Sequence, residues 1–184
     1  MNNFTNPEVE MSDSQVKLIK EIIGKDKLVV EIGCYAGKNT VSMAEHNKVI
    51  AIDPFICEDK NDKCFGDLSN IKDIFMQRIE NNKNIYYCDA KSIDRVGIFR
   101  NFDVLVIDGE HTRDGFVNDL MWLRYLAKDG IVIFHDYGIG VYPYIKEYVD
   151  KLRMGELRID FDEIASDFDE IARDGSLIIL KRIR

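Results

Sequence analysis

The sequence predicts an α/β protein with a Rossmann-like, doubly wound and mainly parallel sheet that ends in an antiparallel C-terminal hairpin. Strand-like and helix-like segments alternate almost throughout the chain, which is typical of a parallel sheet covered by helices on both faces. A glycine-containing turn, Gly33 to Gly37, stands between the first strand and the helix that follows it. Near the C-terminus two strand-like segments, 168–173 and 176–181, flank Asp174-Gly175, a dipeptide that favours a hairpin turn.

The individual elements follow from hydrophobic period and from signals at their ends. The first helix is expected after the capping region Ser12/Asp13, and the last one gains from Pro143 in its first turn. Lys128-Asp-Gly130 is expected to end a helix with Gly130 in the left-handed conformation. Residues 54–67 are polar and aperiodic, and we predict a lid loop there. The predicted strands are 27–32, 49–52, 84–88, 102–107, 131–134, 168–173 and 176–181, and the predicted helices are 14–23, 39–46, 68–79, 93–99, 114–127 and 143–154.

Length and composition limit the class of protein. The 184 residues suit one domain, 1–184, in which residues 1–13 form an N-terminal extension. The net charge of -8 argues against a nucleic-acid partner, because phosphate binding depends mainly on Lys and Arg. The apolar runs are far shorter than the roughly 20 residues that span a membrane, and the first residues lack a signal-peptide pattern, so we expect a cytoplasmic protein. The four cysteines form no C-x-x-C pair and are expected to be reduced thiols.

The strongest local signal is the segment Val29-Val-Glu-Ile-Gly-Cys-Tyr-Ala-Gly-Lys-Asn-Thr40, in which a strand, a tight turn and a helix start follow one another. Glycine lets the backbone approach a ligand closely, and the helix N-terminus offers unpaired N–H groups. The spacing Gly33-x-x-x-Gly37 lacks the middle glycine of the dinucleotide fingerprint, so pyrophosphate binding is not well supported.

Carboxylates follow the next two strands. Asp53 ends the second strand, where an acid in Rossmann-like units bonds the ribose hydroxyls; the alternative is a turn that starts before Pro54. Asp89 closes the third strand and is a candidate for the adenine side of the pocket, with a capping or turn role as its alternative.

Three segments carry a resemblance to a known family: V-E-I-G-C-Y-A-G-K-N-T in the first turn, I-D-P-F at 52–55 and V-L-V-I-D-G-E-H at 104–111. They resemble class I S-adenosylmethionine-dependent methyltransferases, notably the small catechol, caffeoyl-CoA and macrocin O-methyltransferases, over roughly residues 14–146. The resemblance implies that the first loop holds the methionine part of S-adenosylmethionine, the acid after the second strand its ribose, and that the fourth strand end faces the reacting methyl group. The cofactor-binding residues it implicates are Glu31, Gly33, Tyr35, Gly37, Asp53, Asp89 and Asp108.

A second group of polar residues, Asp108-Gly-Glu-His111 and His135-Asp136, follows the fourth and fifth strands. Both segments stand at carboxyl ends of adjacent predicted strands, so they should converge. Asp108, His135 and Asp136 offer the oxygen and imidazole ligands that suit Mg²⁺, Mn²⁺ or a similar divalent ion. The resembling metal-dependent enzymes hold their metal with a carboxylate after the fourth strand and an acidic or Asp-Asn pair after the fifth. Here His135 replaces the first acid of that pair, so metal dependence stays open, with helix capping and a core histidine as alternatives.

His111 is the candidate general base, and Asp108 is the second candidate catalytic residue. The catechol-type enzymes place a lysine at the position of His111, where it deprotonates the acceptor hydroxyl. A neutral imidazole, with an ordinary pKa of about 6.5, serves the same purpose near pH 7. The alternative role of His111 is to cap the helix around Asp114.

The resulting hypothesis is an S-adenosylmethionine-dependent methyltransferase that methylates a hydroxyl of a small-molecule acceptor, with a divalent metal as an optional aid. One alternative is an NAD-dependent oxidoreductase, against which the missing middle glycine weighs. Another is a non-catalytic ligand-binding or assembly domain with the same fold. A nucleic-acid methyltransferase lacks support, because no Asn/Asp-Pro-Pro-aromatic motif follows the fourth strand. The identity of the acceptor and the oligomeric state, a homo-oligomer included, are left open.

Overall fold

The structure, a computed structural model, describes residues 10–58, 66–159, 162–163 and 167–183. Residues 1–9 of the predicted N-terminal extension and 59–65 of the predicted lid loop lie outside the described residues. The helices are α1 (Asp13–Ile23), α2 (Lys38–Ala44), α3 (Ser69–Ile79), α4 (Arg113–Leu120) and α5 (Pro143–Arg153), with 3₁₀ helices at Ser92–Arg95 and Met121–Tyr125. The strands are β1 (Leu28–Ile32), β2 (Lys48–Ile52), β3 (Ile56–Cys57), β4 (Gly66–Asp67), β5 (Ile85–Cys88), β6 (Phe102–Ile107), β7 (Leu126–Phe134), β8 (Arg158–Ile159), β9 (Asp162–Glu163), β10 (Phe168–Asp174) and β11 (Leu177–Arg182).

The main sheet has the strand order β10-β11-β7-β6-β1-β2-β5. The five strands from β7 to β5 in this order are parallel to one another, whereas β11 is antiparallel to both β7 and β10. The chain moves outward from β1 through β2 to β5 and then returns with β6 to the other side of β1. The predicted fold class, a doubly wound and mainly parallel sheet with an antiparallel C-terminal hairpin, is therefore confirmed.

The parallel strands bury both of their faces. Val29 and Val104 pack with α1 and α2 on one face. Val30 and Leu105, the next residues along the same strands, pack with α4 and α5 on the other. Strands of this kind read as continuous apolar runs rather than as alternating patterns, and only helices on both sides can cover them.

Helix α1 begins where its capping signal predicts. The Ser12 hydroxyl accepts a hydrogen bond from the backbone N–H of Gln15, and the Gln15 side chain accepts one from the N–H of Ser12. This reciprocal pair satisfies two backbone donors that the first turn would otherwise leave open. None of the helices in the described ranges is long and apolar enough to cross a membrane.

The ends of the predicted lid loop are fixed to the domain. Strands β3 and β4 pair in antiparallel fashion, and Phe55 beside them is buried against the ring of Phe75, with 5.4 Å between ring centroids. Cys34, Cys57 and Cys88 form no disulfide bond with one another, and Cys64 lies outside the described residues.

The end of α4 differs from the prediction of a helix that continues to residue 127. The α-helix ends at Leu120, a 3₁₀ turn follows to Tyr125, and β7 begins at Leu126. The reason is tertiary packing: Trp122 and Leu123 in the 3₁₀ turn are fully buried, and their burial outweighs the helical period of the sequence.

The left-handed residue after this helix was also predicted wrongly. Asp129, not Gly130, has a positive φ, of 61°. Gly130 lies within β7, in the irregular part where the register with β6 shifts between Phe102 and Val104. Glycine is required at 130 because a side chain has no room there, and not because the backbone is left-handed.

A pair of substitutions tests this assignment. A Cβ at Gly130 would lie 2.8 Å from the carbonyl oxygen of Ala127 and 2.7 Å from Cγ of Leu126. We expect Gly130→Ala to lower the free energy of unfolding by about 1–3 kcal/mol, the usual cost of overpacking. Asp129→Gly relieves a left-handed backbone and should keep or raise the stability. Urea unfolding followed by circular dichroism measures both, and equal destabilisation by the two changes would contradict the assignment.

Candidate active site

A cavity of about 960 Å³ opens at the carboxyl ends of the parallel strands. It lies where the strand order reverses between β1 and β6, which is the position at which open α/β sheets bind ligands. Its wall includes Gly33 and Tyr35 after β1, Asp53 after β2, Asp108 after β6 and His135 after β7. Predicted site residues from four strands therefore share one cavity.

Gly33 lets the ends of β1 and β6 meet. Its φ is 80°, and a Cβ there would lie 1.9 Å from the carbonyl oxygen of Asp108. The N–H of Gly33 donates to the carbonyl of Ile52 at 3.0 Å, and the N–H of Asp108 donates to the carbonyl of Ile32 at 2.9 Å. The hydrogen bonding of the sheet thus continues to the floor of the cavity, and no side chain fits between the two backbones.

Asp53 holds the turn after β1 in place. Its Oδ2 accepts hydrogen bonds from the N–H groups of Cys34 at 2.8 Å and Tyr35 at 3.1 Å, and its Oδ1 accepts one from Phe55 at 2.7 Å. Burial raises the pKa of this carboxyl, and the three N–H groups oppose the rise. Tyr35 has a φ of 45°, so the carboxylate stabilises a left-handed backbone that the turn needs.

Four polar side chains converge beyond β6 and β7. His135 Nδ1 lies 3.1 Å from Asp108 Oδ1 and 3.1 Å from Asp136 Oδ2. His111 Nε2 lies 2.9 Å from the same oxygen of Asp136. The His111 ring stacks on Tyr142, with centroids 4.6 Å apart and planes at 30°. The structure therefore brings the residues that follow the fourth and fifth strands of the sequence pattern into one cluster.

The cluster is held by opposite charges. Burial by itself lowers the pKa of His135, but the carboxylates of Asp108 and Asp136 outweigh it and raise this pKa to about 11. Burial raises the pKa of Asp136, whereas hydrogen bonds from His111 and His135 lower it below its ordinary value. The imidazole of His135 is thus protonated at neutral pH and lies between the carboxyl groups of Asp108 and Asp136. Asp136 also has a φ of 56°, a strained conformation of the kind that gathers at functional sites.

The region of the sequence that matches a known protein family includes the turn after β1 and the four clustered side chains. Residues 30–137, which include the turn after β1 and the cluster beyond β7, match the model of a family described as a methyltransferase domain. The chain belongs to this methyltransferase-domain family. No curated protein matches it in sequence.

Solved structures share the fold of the methyltransferase domain at low sequence identity. The N-methyltransferase NodS from Bradyrhizobium japonicum WM9 is 14% identical, with a TM-score of 0.62 and coverage of 93% of this chain and 94% of that one. A Klebsiella pneumoniae protein classed as an O-methyltransferase is 13% identical, with a TM-score of 0.65 and coverage of 96% and 83%. Rv0187 from MTB, solved with its cofactor bound, is 13% identical, with a TM-score of 0.66 and coverage of 96% and 83%. At these identities the likeness establishes the fold alone.

The side chain of Glu31, one of the residues that the resemblance implicates, points into the core of the protein rather than into the cavity. Glu31 is 1% exposed and is absent from the described part of the cavity wall. Its carboxylate accepts hydrogen bonds from Asn39 Nδ2 at 2.9 Å and from Thr40 Oγ1 at 2.5 Å. It therefore joins β1 to the first turn of α2.

Gly37 and Asp89 also lie away from the described wall of the cavity. Gly37 has a φ of 84°, and a Cβ there would lie 2.8 Å from the ring of Phe75, so it serves the packing of α3 against the turn. Asp89 is exposed and forms an ion pair with Lys72 at 2.5 Å. The adenine role that the resemblance implies for Asp89 stays a prediction.

Asp119 and Ser92 are among the residues of the cavity wall that the sequence analysis missed. Asp119 on α4 is 3% exposed, its Oδ1 accepts a hydrogen bond from the Ser92 hydroxyl, and burial raises its pKa to about 7. The Ser92 carbonyl accepts a hydrogen bond from Trp122 Nε1 at 3.3 Å. A signal was present, because Asp119 lies beside Phe116 and Leu120 on the apolar side of α4, where an acid is rarely fully buried without a role.

The pH dependence of stability tests the buried position of Glu31, which joins β1 to α2. Burial raises the pKa of Glu31 to about 8, although hydrogen bonds from Thr40 and Asn39 oppose the rise. In the unfolded chain the group titrates near 4.5, so the folded state favours the neutral form. Glu31 therefore costs stability progressively as the pH rises from about 4.5 to about 8.

We expect Glu31→Gln to remove this loss. The amide keeps the shape of the side chain and can donate to Asn39 Oδ1, a buried atom that has no hydrogen-bond partner among the described residues. Relative to the wild type, the variant should have similar stability near pH 4.5 and a gain on the order of a few kcal/mol at pH 8. Urea unfolding across this pH range measures the difference. A difference that does not change with pH would show that Glu31 titrates normally.

Proposed function

We propose that this methyltransferase domain is an S-adenosylmethionine-dependent O-methyltransferase that acts on a hydroxyl group of a small molecule, with a divalent metal ion in its active site. The observation that carries the proposal is that the cluster around Asp108 and the turn at Gly33 open into the same cavity. Groups suited to a cofactor and groups suited to acceptor activation thus adjoin each other.

The cavity fits S-adenosylmethionine in charge and size. Its sulfonium and ammonium groups are cationic, and a wall rich in carboxylates attracts such a ligand. The acidic wall residues are Asp53, Glu58, Asp108, Glu110, Asp114, Asp119 and Asp136, against the bases Lys91 and Arg113 and the two histidines. The volume is that of a small-molecule site. The structure of NodS in complex with S-adenosylhomocysteine, a neighbour of the same fold, supports the same cofactor here.

The cluster beyond β6 and β7 fits a divalent metal. One ligand atom each from Asp108, His135 and Asp136 lies within 4.8 Å of the others. Ligands that bind one ion at about 2.1–2.5 Å are at most about 5 Å apart, so these side chains reach a single ion with little movement. Two carboxylates and one neutral imidazole suit Mg²⁺ or Mn²⁺, and the ion would displace the proton that His135 carries in its absence.

The protein's own residues supply orientation and proton transfer. His111 Nδ1 is the proposed base for the acceptor hydroxyl, and Asp136, whose Oδ2 lies 2.9 Å from Nε2 of the same ring, holds a proton on Nε2 and orients the ring. Tyr142 stacks on the same ring and limits its rotation. When bound, S-adenosylmethionine supplies the electrophilic methyl group, and a metal lowers the pKa of the acceptor hydroxyl. Positioning within the cavity then accounts for most of the remaining rate.

The charge distribution supports a neutral or cationic small acceptor. Carboxylates dominate the cavity wall, and the net charge of the chain is -8, so anionic nucleic acid is disfavoured on both counts. We propose the cytoplasm as the compartment on the sequence pattern described above.

Calorimetry with S-adenosylhomocysteine tests the cofactor. We expect the wild type to bind it and Asp53→Ala to weaken binding at least tenfold, because the N–H groups that shape the turn lose their acceptor. Asp94→Ala, a change of an exposed acid outside the described cavity wall, is the control and should leave affinity unchanged. Well-folded wild type that binds no S-adenosylhomocysteine would refute the proposal, and binding of NAD instead would favour the oxidoreductase.

Binding of Mn²⁺, followed by electron paramagnetic resonance, tests the metal site. Asp108→Asn, which removes the negative charge of one ligand, and His135→Ala, which removes another ligand, should each weaken binding at least tenfold, whereas His111→Gln should retain the ion. In a screen of hydroxyl acceptors, His111→Gln should lower methyl transfer by about 10²- to 10⁴-fold, as expected for loss of a general base. Equal Mn²⁺ binding by the wild type and Asp108→Asn would refute the metal site. Cofactor binding without transfer to any acceptor would favour the non-catalytic alternative.

A further inference from the structure

Asp119 is a buried acid that the roles described above do not explain. It is 3% exposed, yet it forms part of the cavity wall. Its Oδ1 accepts a hydrogen bond from the Ser92 hydroxyl, and none of the hydrogen bonds between described residues goes to its Oδ2. A carboxylate in such a place costs stability unless its oxygens find donors. One of the two oxygens is therefore free to accept a hydrogen bond from a ligand.

The sheet determines which end of the ligand lies near Asp119; this step rests on the proposed function. Along the sheet, the strands that end at the cavity follow the order β7-β6-β1-β2-β5. The cluster around Asp108 lies at β6 and β7, Asp53 follows β2, and Ser92 follows β5. For transfer, the methyl end of the cofactor must face the cluster. Its nucleoside end then points toward β2 and β5, where Ser92 holds Asp119.

The surroundings of Asp119 suit a flat heterocycle. Ile56 in β3 and Ile93 after β5, which are 54% and 36% exposed, give the cavity wall apolar surface. A Cβ at Gly109 would lie 2.8 Å from Asp119 Oδ2, so glycine keeps the space beside this oxygen open. Lys91, the cation next to Ser92, pairs with Glu58 at 2.6 Å rather than with Asp119.

We propose that Asp119 Oδ2, oriented by Ser92, accepts a hydrogen bond from the exocyclic amino group of the cofactor's adenine and thereby selects adenine over a 6-oxopurine. The exocyclic amine is the N–H donor on the edge of the adenine ring, whereas a 6-oxopurine carries an acceptor oxygen there. A carboxylate accepts from the first and repels the second. This assigns selection of the base to α4 instead of to Asp89, which the resemblance implies.

The test compares two ligands, S-adenosylhomocysteine and its 6-oxo analogue S-inosylhomocysteine, by calorimetry at pH 8. This pH lies above the pKa of about 7 that burial gives Asp119, so the group is ionised. The wild type should bind the adenosyl ligand at least about tenfold more tightly, the usual worth of a hydrogen bond to a charged group. Asp119→Asn should reduce the ratio to about threefold or less, because its amide can turn an N–H toward the 6-oxo group.

Matched variants separate recognition from folding. Asp94→Asn makes the same charge change on the 3₁₀ helix that carries Ser92, at an exposed position outside the described cavity wall, and should keep the wild-type ratio. Ser92→Ala removes the group that orients Asp119 and should lower the ratio. Thermal unfolding of each variant checks that it is folded. The ratio of the two ligand affinities in the wild type is measured on the unmodified protein, so it does not depend on whether any variant folds.

Three results would overturn the inference while leaving the proposed function intact. They are equal affinity of the wild type for both ligands, equal weakening of both ligands by Asp119→Asn, and loss of the preference in Asp89→Asn but not in Asp119→Asn. Failure of the folded wild type to bind either ligand would instead overturn the proposed function, and the inference with it.

Discussion

The arrangement of the site depends on one close contact between two backbones. The carbonyl oxygen of Asp108 occupies the space beside Gly33, at 1.9 Å from where a Cβ would stand. Because β1 and β6 are neighbours at the point where the strand order reverses, this contact brings the turn after β1 directly against the end of β6. The bonds from Gly33 to Ile52 and from Asp108 to Ile32 then align the ends of three strands. Groups that follow these strands inherit their positions from the sheet rather than from flexible loops.

This dependence explains why much of the site could be predicted from the sequence. Asp53, Asp108 and His135 each follow an apolar run, and a polar residue after such a run marks the carboxyl end of a parallel strand. The rule needs only the topology, not the side-chain conformation. The hydrophobic period of a helix was a poorer guide at the end of α4, where burial of Trp122 ends the helix although the sequence continues the period to residue 127. Local patterns do not report which tertiary contact prevails there.

The sequence predicts where a carboxylate stands along the chain better than it predicts the direction in which the side chain points. Glu31 lies on β1, a strand buried on both faces, and Asn39 and Thr40 decide that it joins the core instead of the cavity. These partners lie in α2, and only the packing of α2 on the sheet brings them within reach. Asp119 shows the reverse case: its helix predicts burial, and Ser92, which follows a different strand, turns it toward the cavity.

Comparison of three buried acids shows which of them has capacity for a ligand. Glu31 has a side-chain donor on each oxygen, and Asp53 accepts three backbone N–H groups. In the described part of the chain, Asp119 has one donor, the hydroxyl of Ser92. Burial raises the pKa of all three, so each ionised form carries a cost that hydrogen bonds must offset. For Glu31 and Asp53 the fold itself supplies the donors. For Asp119, one carboxylate oxygen at the cavity wall has no donor among the described residues. A donor on the ligand then supplies the hydrogen bond that the fold supplies for the other two acids.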